Sequence, residues 1–138
     1  MIKVVLDTNI FVSSIFWGKG NPHRVVEFAL DKKIEVFTSV EILQELERVL
    51  KRDFNEPDEL IQRQIGLIFE YAAVVIASKK LDVIKADSDD NKILECAIAS
   101  GSDYIVTGDR HLLDIKEYEG VKIVKAKDFV EIIENIKK

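Results

Sequence analysis

Five short runs of branched and aromatic residues punctuate the chain: residues 2–6 (IKVVL), 34–37 (IEVF), 72–76 (AAVVI), 104–107 (YIVT) and 121–124 (VKIV). Each is shorter than an ordinary helix and rich in the residue types that fit a pleated, half-buried surface. Between them apolar positions recur every three or four residues, which predicts helices at about 22–31, 40–52, 58–70, 90–100 and 126–136. Strand and helix alternate, so the pattern predicts βαβ units and a parallel sheet covered on both faces, a three-layer α/β/α domain. The stretch Gly18-Lys19-Gly20-Asn21-Pro22 breaks the chain ahead of the helix at 22–31, and Lys79-Lys80 opens a loop that runs to Ser88. There is no internal repeat, low-complexity tract or linker. A length of 138 residues then implies one domain over 1–138.

An open α/β sheet binds its ligands beyond the carboxyl ends of its strands, where the strand order reverses. The first strand ends in Asp7-Thr8-Asn9 and the fourth in Thr107-Gly108-Asp109. If those strands are neighbours, Asp7 and Asp109 face each other across one crevice. The simpler account of either acid alone is that it caps a following helix, which Asp does well; two acids at two strand ends shift the balance towards a shared site. Asp90 opens a helix whose apolar positions include Ile93, Leu94 and Ala97, at i+3, i+4 and i+7. It therefore points along the buried face, where a carboxylate is costly unless it is paired or metal-bound. Asp87, Ser88 and Asp89 are all available for capping, so the cap does not require Asp90. In the helix at 40–52, Thr38-Ser39-Val40-Glu41 reads as a capping box that occupies Glu41. Glu45 and Glu47 flank the apolar stripe of Ile42, Leu43, Leu46, Val49 and Leu50, each about 100° from its centre. Spacing does not choose between them.

Charge complicates any nucleic-acid reading. The formal net charge is -5, whereas affinity for phosphate backbones comes largely from Lys and Arg. Lys19, Arg24, Arg48, Arg110 and Lys125 lie on or near the strand-end rim and could touch phosphates there, although each taken singly reads more readily as solvated surface charge. If four carboxylates held about two divalent ions, most of the negative charge would be offset where a substrate binds. The single cysteine, Cys96, forms no internal disulfide and suits a reducing, cytoplasmic setting. No apolar run reaches membrane-spanning length, and the N-terminus reads as a strand instead of a signal peptide.

The segments VVLDTNIFVSSIF (4–16), TSVEILQELERVL (38–50), DSDDNKILECAIASGSDYIVTGDRHLL (87–113) and KIVKAKDFVE (122–131) together resemble the PIN domain family, and within it the toxins of toxin–antitoxin pairs. The resemblance spans nearly the whole chain, and its specificity lies in the ordered set. It implies a five-stranded parallel sheet of order 3-2-1-4-5. It also implies Mg²⁺- or Mn²⁺-dependent cleavage of single-stranded RNA, with Asp7, Glu45, Asp90 and Asp109 as catalytic metal ligands in one pocket. The resemblance thus selects Glu45 over Glu47. Asn9, Asn91 and Thr107 resemble supporting polar positions. Where family members often carry a further acid, this chain has His111 and Asp114. Association as a homodimer or with a small antitoxin protein is implied too, and Trp17, beside the Gly18-Lys19-Gly20 turn, is placed for an interface; Phe16 is expected in the core. Mg²⁺ and Mn²⁺ suit such a site because hard cations prefer carboxylate and water oxygens.

Three other readings compete. A receiver-like phosphoacceptor domain also places acids, a Thr and a Lys at strand ends, as Asp7, Thr107 and Lys125 do, but its phosphorylated Asp should end the third strand, where this chain reads Val74-Val75-Ile76-Ala77. A haloacid-dehalogenase-type phosphatase needs a second Asp two residues after Asp7, and Asn9 stands there. A non-catalytic PIN-like partner-binding module would not need all four acids, and all four are present.

Overall fold

The structure is a computed structural model that describes residues 1–77, 80–81 and 90–136. Its elements are β1 (Ile2–Leu6), α1 (Thr8–Phe16), α2 (Asn21–Leu30), β2 (Ile34–Thr38), α3 (Val40–Arg52), α4 (Asp58–Ile68), β3 (Ala72–Val74), α5 (Asn91–Ser100), β4 (Tyr104–Val106), α6 (Arg110–Ile115), β5 (Glu117–Tyr118), β6 (Val121–Val124) and α7 (Ala126–Ile136).

The sheet order is β3-β2-β1-β4-β6-β5. All pairings are parallel except β5 with β6. Val4, Val5 and Leu6 are all fully buried, as are Ile105 and Val106 of β4. Successive side chains of a strand point to opposite faces, so consecutive burial means that both faces of the central strands are covered. The three-layer α/β/α expectation holds. Helix α5 packs on β1, β2 and β4, while α2 packs on β2, α1 and α7. The core is a single apolar cluster that includes Phe11, Phe28, Leu46, Ile93, Leu94 and Phe129. Burying a side chain of this size contributes about 1.5–3 kcal/mol.

Three details differ from the sequence expectation. The sheet has six strands, not five; the added β5 is a two-residue edge strand hairpinned onto β6 through Glu119 and Gly120, at φ 48° and 86°. Two positive φ values in a two-residue loop match the twist of a tight hairpin, and two residues are too few to show a period. The third strand stops at Val74, because only Val75 N still bonds across to Thr38 O, at 2.9 Å, and Ile76 is exposed. Helix α4 stops at Ile68. The helices that the capping account required after Asp7 and Asp109 are α1 and α6. The loop expected from Lys79 to Ser88 lies almost wholly outside the described residues.

With β1 between β2 and β4, the first and fourth strands are direct neighbours. The ladder continues past both strand ends: Asp7 N donates to Val106 O and Thr107 N to Val124 O, each at 3.0 Å. The backbone of Asp7 and of Thr107 is therefore anchored to the neighbouring strand. The order also differs from the 2-1-3-4-5 of receiver domains, which removes the receiver-like alternative.

Candidate active site

Asp7 and Asp109 each end an extended segment and each cap a helix. Asp7 Oδ1 accepts from Thr8 N at 2.6 Å at the start of α1, and Asp109 Oδ1 accepts from His111 N at 2.7 Å at the start of α6. Capping and a shared crevice are thus not alternatives. The fully buried Thr107 joins the two acids, its hydroxyl donating to Asp7 Oδ2 at 2.6 Å while accepting from Asp109 N at 2.9 Å. Both oxygens of Asp7 are fixed by short bonds, so its orientation is set before any ligand arrives.

Glu45 enters from α3. Its Oε2 accepts from the Thr8 hydroxyl and its Oε1 pairs with Lys92 Nζ at 3.4 Å. Glu47 and Glu41 are exposed; Glu45 is the one of the three that reaches Thr8 and Lys92, while Glu41 lines the recess that Lys92 also borders. The N-cap of α3 is Ser39, whose hydroxyl oxygen accepts from Ile42 N at 3.3 Å. Ile42 therefore holds the position a capping-box glutamate needs, and Glu41 has no such task.

Asp90 is buried at the N-cap of α5 and makes no side-chain cap bond, in keeping with the inward direction given by the helical wheel. The capping candidates Asp87, Ser88 and Asp89 lie outside the described residues. Of the supporting positions, Asn91 and Thr107 are buried, whereas Asn9 is exposed.

Burial is the main cause that lifts the Asp7 carboxyl from an ordinary 3.8 to about 6. The bonds from Thr107 and Thr8 pull it down, and the charges of Glu45 and Asp109 push it back up. Asp7, Glu45 and Asp109 are thus within electrostatic reach of one another. Among the described residues, no three acidic, His or Cys side chains close on a single point tightly enough to grip an ion; Asp7, Glu45 and Asp109 are each drawn to a donor of the chain. The donor set is nevertheless all oxygen, largely buried and rich in like charge. That chemistry fits a hard divalent cation.

Lys19, Arg48, Arg110 and Lys125 are exposed. Arg110 directly follows Asp109 and Lys125 directly follows the end of β6. Arg48 lies in a recess of about 380 Å³ between α3 and α5 with Lys80 and Lys92. Arg24 is otherwise engaged, ion-paired with Glu27 at 3.6 Å and lying 4.6 Å from the Phe28 ring centre. Two residues at the crevice, Thr8 and Lys92, do not stand out from sequence as site residues. Thr8 has a signal, its place inside Asp7-Thr8-Asn9; Lys92 has none, since a lysine near a helix start reads as solvated charge.

An α/β/α sheet whose central strand ends carry facing acids, joined by a helical glutamate from a third element, defines a class of carboxylate-centred α/β domains. Similarity to known proteins says which. The profile of the PIN domain family matches residues 3–111, and the chain belongs to that family. It is 31% identical over 135 residues to a Methanocaldococcus jannaschii protein named ribonuclease VapC4, covering 96% of this chain and 97% of the relative. It is also 28% identical over 146 residues to MJ1680 of the same organism, covering 96% and 92%. Among solved structures, VapBC2 from Rickettsia felis bound to a DNA fragment from its promoter superposes with a TM-score of 0.64 at 18% identity, over 88% of this chain and 97% of that one. PAE2754 from Pyrobaculum aerophilum superposes at 0.60 with 15% identity, over 97% and 90%.

Proposed function

We propose that this protein is a divalent-metal-dependent endoribonuclease that cuts single-stranded RNA, with Asp7, Glu45, Asp90 and Asp109 as its metal-binding acids. The observation that carries the reading is the buried Asp7 carboxylate, locked by Thr8 and Thr107 and coupled by charge to Glu45 and Asp109. Mg²⁺ or Mn²⁺ in such a site supplies a water activated for attack on a phosphodiester and a positive charge against the phosphoryl oxygens. The chain's own part is orientation. Thr107 fixes Asp7 relative to Asp109, Thr8 fixes Glu45, and Asn91 lies buried beside Asp90. Exposed Arg110, Lys125 and Arg48 border the crevice as phosphate contacts, with Lys19 farther along the chain. Arg24 and Asn9 carry less support, the first because Glu27 and Phe28 hold it, the second because it is exposed.

The likeness to ribonuclease VapC4 and to a VapBC complex supports a toxin role with a small antitoxin protein as partner, acting in the cytoplasm. Among the described residues no helix is long and apolar enough to cross a membrane. A homodimer is the second association proposed. Trp17 is 58% exposed, meets Phe16 edge-on at 6.1 Å, and Phe16 in turn stacks on Phe54 at 4.5 Å. Phe16 is thus not a core residue, as the sequence led one to expect, but the middle of an exposed aromatic row.

The test of the catalytic reading is a Mg²⁺ and Mn²⁺ titration with single-stranded RNA. Cleavage that rises with metal and stops with EDTA is expected; cleavage indifferent to EDTA would remove the proposal.

A further inference from the structure

Between α3 and α5 lies an ion pair to which the nuclease mechanism assigns no task. Glu45 Oε1 meets Lys92 Nζ at 3.4 Å, and the two side chains are only 21% and 13% exposed. A largely buried ammonium is costly unless an opposite charge accompanies it. Here the opposite charge is an acid of the site itself, since Asp7 feels the charge of Glu45 and Asp109. Without a cation the acids would repel one another across the crevice, and Lys92 supplies a cation from within the chain.

A divalent ion on Glu45 would meet an oxygen pair already engaged, Oε2 by the Thr8 hydroxyl and Oε1 by the ammonium. Ion and ammonium repel, and both seek the same carboxylate. The ammonium has somewhere to turn, because Lys92 also lines the 380 Å³ recess, whose walls carry the carboxylates of Glu41 and Glu95 as well as the cations Arg48 and Lys80. Resting on the metal-nuclease reading, we propose that Lys92 is a positioning residue acting through Glu45: it holds the carboxylate in place before the divalent cation binds, and competes with that cation for it.

Calorimetric titration of the full chain with Mn²⁺ alone tests this. Lys92→Met keeps the length of the side chain and removes its charge. It is expected to bind Mn²⁺ at least about fivefold more tightly than wild type, as expected when a unit charge is removed beside a divalent site near the protein surface. Lys92→Arg keeps the charge and is expected to stay within about twofold of wild type. The Met variant should also melt lower than wild type without metal, and the gap should narrow at saturating Mn²⁺. A lysine that merely packed would give the opposite sign, since a loosened site binds metal more weakly. Unchanged or weaker Mn²⁺ binding in Lys92→Met, with wild type binding normally, would overturn the role of Lys92 and spare the metal reading. Wild type that takes up no Mn²⁺ would overturn both. Should Lys92→Met fail to fold, Lys92→Gln carries the same expectations.

Discussion

At the scale of single residues, Asp7 is where burial and chemistry conflict most. Burial pushes its carboxyl up to about 6 from the ordinary 3.8. Between those values the folded protein binds more protons than the unfolded chain, so stability falls as pH rises through that window and is flat above about 7. The loss amounts to at most about 3 kcal/mol from this one group. Denaturant melts of the EDTA-treated protein at pH 4.5 and 7.5 should show the fall, and Asp7→Asn should abolish it. The gain for that variant at neutral pH should be smaller, near about 1–2 kcal/mol. Its new amide must turn a donor towards Thr107 Oγ1, which already accepts from Asp109 N, and the strained bonding returns about 1 kcal/mol. RNA cleavage should fall at least about a hundredfold, equivalent to roughly 3 kcal/mol of lost transition-state stabilisation. Full cleavage by Asp7→Asn at saturating metal would discredit the mechanism. Thr107→Val tests the bridge: orienting partners of this type are worth about 10–100-fold in metal affinity or activity, and a variant with wild-type Mn²⁺ affinity and rate would show that the bridge only stabilises the fold.

At the scale of elements, the sequence is legible where a period or an abrupt strand end announces the structure. β1 stops directly before an acid and β4 three residues short of one, which makes Asp7 and Asp109 visible. The apolar face of α5 makes Asp90 visible. Glu45 is not resolvable from α3 alone, because Glu45 and Glu47 are symmetric about its stripe; Thr8 and Lys92, contributed by two other elements, break the tie. β5 is invisible for a simpler reason, being two residues long. The hairpin it forms can be tested separately from the site. Gly120 has φ 86° with open space where a Cβ would stand, so Gly120→Ala strains only the backbone. It should cost about 1 kcal/mol, lowering Tm by roughly 2–5 °C, with RNA cleavage unaltered. Lost cleavage in a folded Gly120→Ala would mean that the β5 edge communicates with the crevice.

At the scale of the whole molecule, the proposed substrate requires a protein of net charge -5 to hold RNA through a few local cations. Pairing two copies across the Phe16–Trp17–Phe54 row would align two basic rims and lengthen the binding groove. Light scattering at tens of micromolar, roughly where weak interfaces dissociate, should report a dimer for wild type and a monomer for Trp17→Ala. A monomeric wild type would refute the dimer; a dimeric variant would refute only the role of the aromatic row.

The sheet order has one more consequence, in time instead of space. β1 is made first yet waits for a neighbour on each side, and the backbone N–H of Thr107 is anchored by Val124 of β6. At about 5–20 residues per second of synthesis, the interval between completing β2 and completing β6 is on the order of ten seconds. For most of it the growing chain carries Asp7 but not Thr107, the bridge that orients it against Asp109. The arrangement of the acids is therefore completed only when the second half of the chain has been made, and a chain cut short before β6 would carry Asp7 and Thr107 without the strand that anchors Thr107.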